Sequence, residues 1–503
     1  MKKLISLALA LAMLLALGMT TAYAAPYNLD YYWIGNGDTA DRIDVQNAIN
    51  EYVEPLLDVN VTFHIIGWGD WLTKAITTLN AGEKADIFFT ADWEYYMRSV
   101  KQDQFMPLND DNGPYGNLLA EYGKDILATI NPAFLYGSQV DGINYAVPTQ
   151  KELCVPNGWV YNIDAAEEVG FDISSFEQPL TDYSVLEPYL AAYKALHPDV
   201  YPYIIDGQRG ENPWVPNFAD GLDAYISMKW NPEADGTFDE TIYSVWETES
   251  NLEYSRILYK WAQLGYINPD SLLTSYSVVD EMSAGKFLIC PQPLKGSNIK
   301  AVELMNSSGN PGLRLGEFYG NQKVAQTQDT GGSMLAIPYT SENPEAAMKY
   351  INLMHSDSKL VNMMLFGVEG KNWQFAEDGR VEILDANWAG AHAGAWTVGN
   401  TALQAVTVDE DPEKNQLLAS YADDAIPHIS MGFRFDQTPV NDEIIALFAI
   451  SESYDRALKV GAADPDVTIP EFMSLAKAAG LEKVFAEVQS QYDAWKAAKA
   501  ANQ

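Results

Sequence analysis

Cysteine is almost absent: Cys154 and Cys290 are the only two in 503 residues, so neither a disulfide-dense scaffold nor a cysteine-rich metal site can organise this chain. Each lies among apolar neighbours, Leu153 and Val155 for one and Leu288 and Ile289 for the other, and two buried free thiols are expected rather than a bridge. Histidine is scarce too. His64, His197, His355, His392 and His428 are scattered and never fall at a paired metal-ligand spacing, so the sequence predicts no metal and no cofactor. No zinc-protease helix motif, phosphate-cradling Gly-Lys loop or serine nucleophile elbow occurs. Basic residues number 31 against 69 acidic ones, a net charge of −38. Such a field repels phosphate backbones and anionic membrane surfaces, which makes nucleic acid a poor partner. Its plain consequence is a soluble, non-sticky surface. With so many carboxylates, a glycosidase-like pair could be drawn almost anywhere, and none is informative.

What is present begins with an address. Lys2 and Lys3 precede an apolar run from Leu4 to Leu17 and the small-residue triplet Ala22-Tyr23-Ala24, the layout of a cleaved export signal over residues 1–24. The run is too short to span a bilayer, and nothing downstream supplies another. The mature chain is therefore expected to be soluble and to work outside the cytoplasm, secreted or periplasmic. No cysteine follows the apolar run, so the usual bacterial lipid anchor has no attachment point. The remaining length favours two or more domains.

Tyr27 to Ile34 reads as a strand ending in the turn Gly35-Asn36-Gly37-Asp38. Asp41 to Leu57 carries Ile43, Val45, Ile49, Val53 and Leu56 near helical spacing. A β-branched strand over 60–66, a helix over 70–82 and the buried-strand run Ala85 to Phe89 follow. This alternation predicts a parallel sheet with crossover helices, whose ligands gather beyond the carboxyl ends of the strands. Short strands are predicted over 142–149, 158–161, 287–290 and 334–337. Helices are predicted near 180–196, over 249–264 and over 343–355. No low-complexity linker or tandem repeat joins these parts, so lobes must be connected by several crossings inside folded segments.

Thirteen tryptophans and twenty-nine tyrosines are many. Trp33, Trp93, Trp159, Trp214 and Trp373 stand where strands end or loops begin, and those beside polar turns, Thr90-Ala91-Asp92-Trp93 and Gly370-Lys371-Asn372-Trp373-Gln374, suit a neutral polyhydroxylated ligand. Aromatic faces stack on the C–H faces of sugar rings while amides and carboxylates bond the hydroxyls. Asn231, Glu233, Asp235, Gly236, Thr237 and Asp239 fall on the positions of a calcium loop. Ile242 stands where the closing bidentate acid should be, so a hairpin turn at Asp235-Gly236 is the simpler reading.

The order of several short passages resembles the extracellular solute-binding subunits of bacterial ABC importers, of the carbohydrate type found mainly in Gram-positive bacteria. These are Ala85-Asp86-Ile87-Phe88-Phe89, Tyr145-Ala146-Val147-Pro148, Gly158-Trp159-Val160-Tyr161-Asn162, Asp329-Thr330-Gly331-Gly332-Ser333, the helix Asn343 to Ile351, Gly367 to Trp373, Phe433 to Val440, and Gln491 to Trp495. The resemblance implies an α/β, two-lobe periplasmic-binding-protein-like fold with a hinged cleft between the lobes. Lobe 1 would hold 25–148 with a return segment near 300–360, lobe 2 would hold 149–299, and a C-terminal helical region over 361–503 would complete the lobes. It further implies a non-enzyme, expected to be monomeric, that captures a sugar or oligosaccharide and delivers it to an ABC transporter permease. Family contact positions map onto Trp33, Asn36, Thr90, Asp92, Trp93, Gln150, Lys151, Trp214, Lys295, Gly332 and Trp373, with Trp214 and Trp373 stacking; Arg434 and Asp436 would form a structural ion pair. Two other readings stay open: a receptor for a cationic peptide or polyamine, and a secreted glycoside hydrolase.

Overall fold

The structure, a computed structural model, describes residues 25–206 and 240–501, apart from positions 95, 181, 274, 275, 297, 309, 311, 321, 322, 389–391, 422 and 424. The export signal, Trp214 and residues 231–239 of the calcium-like loop lie outside the described residues.

The strand Tyr27–Gly35 pairs in parallel along its whole length with Val59–Gly67, and through Tyr31 and Tyr32 with Ile87–Thr90. The helices Arg42–Leu57 and Trp68–Ala81 make the crossovers. Val45, Ile49 and Val53 recur every fourth residue and are the buried face of the first helix. Ile43 and Leu56, grouped with them by sequence, are half exposed: Ile43, two residues before Val45, is rotated off the stripe, whereas Leu56 keeps helical spacing with Val53 but sits in the last turn of the helix.

The sheet is not wholly parallel as expected. Met334–Ala336 inserts antiparallel between Ile87–Thr90 and Ala146–Pro148, giving the spatial order 59–67, 27–35, 87–90, 334–336, 146–148. That strand follows the return of the chain from the second sheet, so its direction is not set by a crossover helix from a neighbouring strand of the first sheet. Both faces are covered. Leu29, Tyr31, Trp33 and Phe63 pack with the helices Pro344–Met354 and Ser358–Phe366 on one face, and Ile34, Ile66, Phe88 and Trp71 form the core on the other.

A second sheet, in the order 289–293, 157–162, 315–319, is antiparallel throughout. On one side Trp159 and Phe318 pack with residues of the helices Glu187–Leu196 and Glu249–Gln263. On the other, Val160 and Cys290 meet Ala301 and Leu304 of the helix Ile299–Ser308. The chain thus returns to the first sheet only after Tyr319, later than the 300–360 segment expected. Likewise Leu360, Val361, Trp373, Val381, Trp388 and Val398 lie in the first core, so position 361, the expected boundary of the C-terminal region, falls inside the helix Ser358–Phe366.

Three helices, Asn441–Lys459, Pro465–Ala478 and Leu481–Ala501, enclose a separate core with Trp246, Phe433 and Phe435. The passages 149–156, 320–326 and 421–430 connect the bodies. In two of them Val324 and Ala325 pair in parallel with Ile426 and Pro427. Beside that ladder, Lys323 Nζ sits 4.2 Å over the Tyr421 ring and donates to the Tyr421 carbonyl at 3.0 Å. Cys154 and Cys290 are buried free thiols, as expected, although Cys154 lies in a connecting passage rather than a strand. Among the described residues no helix is long and apolar enough to cross a membrane.

Candidate ligand-binding site

At the carboxyl ends of the first sheet three indoles come together. Trp68 opens the helix that follows strand 59–67, Trp93 follows strand 87–90, and Trp396 lies in a short 3-10 turn. Their ring centroids are 6.1 Å apart for Trp68 and Trp93, 6.1 Å for Trp68 and Trp396, and 6.2 Å for Trp93 and Trp396. Phe89 supports two of them from below, at 6.0 Å and 5.9 Å. Trp93 Nε1 donates to the Gly332 carbonyl and Trp396 Nε1 to the Ala393 carbonyl, both at 2.8 Å. Trp93 and Trp396 are thereby fixed by their polar edges, while Trp68 and Trp93 remain 45% and 48% exposed. Fixed, water-facing indoles are unusual unless something stacks on them.

Trp396 reaches this place because residues 392–399 run beside the end of strand 27–35. Ala393 N–H donates to the Ile34 carbonyl, and Gly35 bridges His392. Thr397 Oγ1 accepts from Trp33 Nε1 at 2.8 Å and donates to the Gly394 carbonyl at 2.7 Å.

Of the positions mapped from sequence, Trp93, Gly332 and Lys151 are neighbours: besides the indole bond, a Cβ built at Gly332 would lie 3.9 Å from Lys151 Nζ. Asn36 is exposed, and its carbonyl oxygen lies 3.8 Å from where a Cβ on Gly67, the residue before Trp68, would be. Lys295 belongs to a charged cluster behind Lys151, pairing with Glu303 at 2.8 Å. Burial disfavours the ammonium there, but Glu303 and Glu152 outweigh it and raise its pKa. Burial likewise opposes ionisation of Glu152, yet Lys151 and Lys295 hold its carboxyl below the usual range. Close by, burial pushes Asp329 up to about 7.

The other positions are turned to structural tasks. Trp33 is fully buried, with its ring on His392. Trp373 is 4% exposed, and its indole N–H bonds the Gly367 carbonyl. Thr90 is buried. Gln150 accepts from Asn131 N–H at 2.7 Å, and its own N–H donates to the Gly399 carbonyl. The Asp92 side chain is 3% exposed and is ion-paired to Arg434. Arg434 therefore pairs with Asp92 rather than with the expected Asp436, whose backbone N–H instead bonds Gln491.

Trp68 and Trp396 were not singled out by sequence reasoning. For Trp68 a signal existed, since it directly follows a predicted strand in Ile66-Gly67-Trp68-Gly69. Trp396 offered none, because its approach depends on a pairing between remote segments.

Residues 39–359 match the family described as bacterial extracellular solute-binding protein, and residues 429–497 match a domain of unknown function, DUF3502. A carbohydrate ABC transporter substrate-binding protein of Streptococcus pneumoniae serotype 4 is 29% identical over 473 residues, covering 91% of this chain and 89% of that one. The crystal structure of the N-glycan transport solute binding protein NgtS from Streptococcus pneumoniae superposes with a TM-score of 0.79 at 23% identity, covering 93% of this chain and 98% of that one. The same protein in complex with Man1GlcNAc gives 0.74 at the same identity and coverage.

Proposed function

We propose that this chain, which belongs to the bacterial extracellular solute-binding protein family, captures an oligosaccharide and hands it chemically unaltered to the permease of an ABC importer. The observation that carries the reading is the triad Trp68, Trp93 and Trp396 at the carboxyl ends of the first sheet, with Trp68 and Trp93 half exposed and Trp93 and Trp396 tied down through their indole N–H groups. Stacked C–H faces would lie on these indoles, with Asn36, Lys151 and the Gly332 backbone beside them for hydroxyls. A strip of three rings suits a ligand of more than one sugar unit. The carbohydrate-binding and N-glycan-binding relatives support the class of ligand.

In this reading lobe 1 comprises residues 25–148 and 327–400, and lobe 2 comprises 157–206 and 240–319. The helices from 441 onward form a unit mounted on lobe 2. Ligand contacts from both lobes shift the population toward a closed form. The protein acts as a monomer outside the cytoplasm, retained by its permease or by a periplasm.

Calorimetry and thermal-shift measurements against a panel of neutral saccharides that includes Man1GlcNAc and Man5GlcNAc test this. Stabilisation by at least one saccharide with no product released is the expected result. Stabilisation only by a polyamine or cationic peptide, with steep salt dependence, would replace the ligand class. Release of reducing ends would make the protein a hydrolase.

A further inference from the structure

The Trp93 loop is held from a distance. Asp92 N–H donates to the Gly331 carbonyl at 2.9 Å and Trp93 Nε1 to the Gly332 carbonyl at 2.8 Å, which leaves the Asp92 carboxylate pointing away from solvent toward Arg434. That arginine comes from the segment Phe433–Phe435, whose two phenylalanines are buried in the core of the C-terminal helices. The Asp92 and Arg434 side chains are 3% and 4% exposed. Arg434 also donates from Nη2 to the Gly137 carbonyl at 2.6 Å and lies 5.2 Å from the centre of the Tyr96 ring.

The neighbouring contacts run in the same direction. Gly432 N–H donates to Thr327 Oγ1 at 2.9 Å, and Thr327 opens the short helix that ends at Gly331. A Cβ at Gly137 would collide with Thr330, and one at Gly331 would collide with the Asp92 carboxylate. Residues 432–434, 137, 330–332 and 92–93 are therefore packed without slack, from the C-terminal core to the edge of the indole triad.

We infer that the C-terminal helical unit sets the geometry of the indole triad through Arg434, so that Asp92 and Arg434 are positioning residues for ligand binding and not ligand contacts. This rests on the proposed role of the triad in saccharide binding, and it assigns a task to the region that matches a domain of unknown function. A buried arginine that bonds a carboxylate and a carbonyl at once fixes both direction and distance. Lysine at this place keeps the charge but cannot span both acceptors in the same planar fork.

The test uses the full mature chain labelled with 5-fluorotryptophan, with the Trp93 resonance assigned by Trp93→Phe. Arg434→Lys keeps a buried cation opposite Asp92 and avoids an unpaired carboxylate. It is measured with the paired change Asp92→Leu and Arg434→Met, which removes both charges together and avoids an uncompensated one. In both variants the Trp93 fluorine resonance is expected to shift or broaden while that of Trp159, remote in the second sheet, stays in place. Affinity for Man1GlcNAc should fall at least tenfold.

An unmoved Trp93 resonance in both variants would overturn the inference, whatever the saccharide does. The parent reading fails separately, if Trp93→Ala leaves Man1GlcNAc binding intact. Binding lost in Trp93→Ala but fully kept in both Arg434 variants would also overturn the positioning role while sparing the triad.

Discussion

The rings of Trp33 and His392 are stacked, with centroids 4.7 Å apart and 2° between their planes, and both are buried. His392 Nε2 lies 3.0 Å from the Leu365 carbonyl and its Nδ1 accepts from Gly394 N–H, so the neutral ring with a proton on Nε2 satisfies both partners. Burial lowers its pKa to about 4. The unfolded chain takes up a proton as pH falls below the ordinary histidine value while the native ring does not, so stability is present above that value and is lost as pH drops toward 4. The loss is on the order of 3 kcal/mol at its limit. Unfolding temperature followed from pH 7 to 4.5 should fall less steeply in His392→Asn than in the parent. Equal slopes would remove this group from the acid response.

Asp329 carries the opposite sign. Its buried carboxyl, beside Glu152, titrates near 7, so the native state holds a proton that the unfolded chain has released. This stabilisation is complete below the ordinary carboxylate value and is lost as pH rises through about 7, amounting to roughly a few kcal/mol. Asp329→Asn keeps the acceptor that caps Gln326 N–H at 2.8 Å and removes the titration. It is expected to match the parent at pH 3.5 and to be the more stable of the two at pH 8 in urea titrations. A variant less stable by the same margin at both values would show that the proton is not what matters.

Two tryptophans that look alike in sequence should separate function from stability. Trp93 is half exposed at the triad and Trp373 is 4% exposed in the first core. Trp93→Ala should leave the unfolding temperature nearly unchanged and remove saccharide binding. Trp373→Ala should cost about 3–5 kcal/mol of stability through the cavity it leaves, with affinity kept in the fraction that stays folded. Calorimetric titration of both against the same saccharide checks this, and the reverse pattern would move the site.

How much of this could be read beforehand follows from where each constraint acts. Strands 27–35 and 59–67 and the helix between them were legible because hydrophobic period and turn residues act locally. The fate of Trp33 was also written in period two, since Leu29, Tyr31 and Trp33 share the buried face, but its place at a strand end suggested a ligand instead. The antiparallel entry of Met334–Ala336, the approach of Trp396 and the Asp92–Arg434 pair depend on contacts between segments hundreds of residues apart. The pairing of Asp92 with a residue 342 positions away leaves no trace in either local sequence.

At the joint between the C-terminal helices and the second lobe the two backbones come closest at a glycine. Gly461 has φ +69°, and a Cβ there would collide with the Leu258 carbonyl of the helix Glu249–Gln263. Nearby, Arg256 pairs with Asp466 across the same seam, but both are largely exposed, and an exposed pair contributes little. The attachment is carried instead by close backbone contact at Gly461 together with apolar packing of Trp246 in the C-terminal core and Val460 in the core of the second sheet. Gly461→Ala adds a left-handed strain of roughly 1–3 kcal/mol to a clash with main chain that no rotamer can relieve. Limited proteolysis should then cut between the two bodies faster than in the parent, while Arg256→Ala leaves the cleavage rate almost unchanged. If the arginine variant opens the seam as readily as the glycine variant, the ion pair and not the backbone approach holds the unit in place.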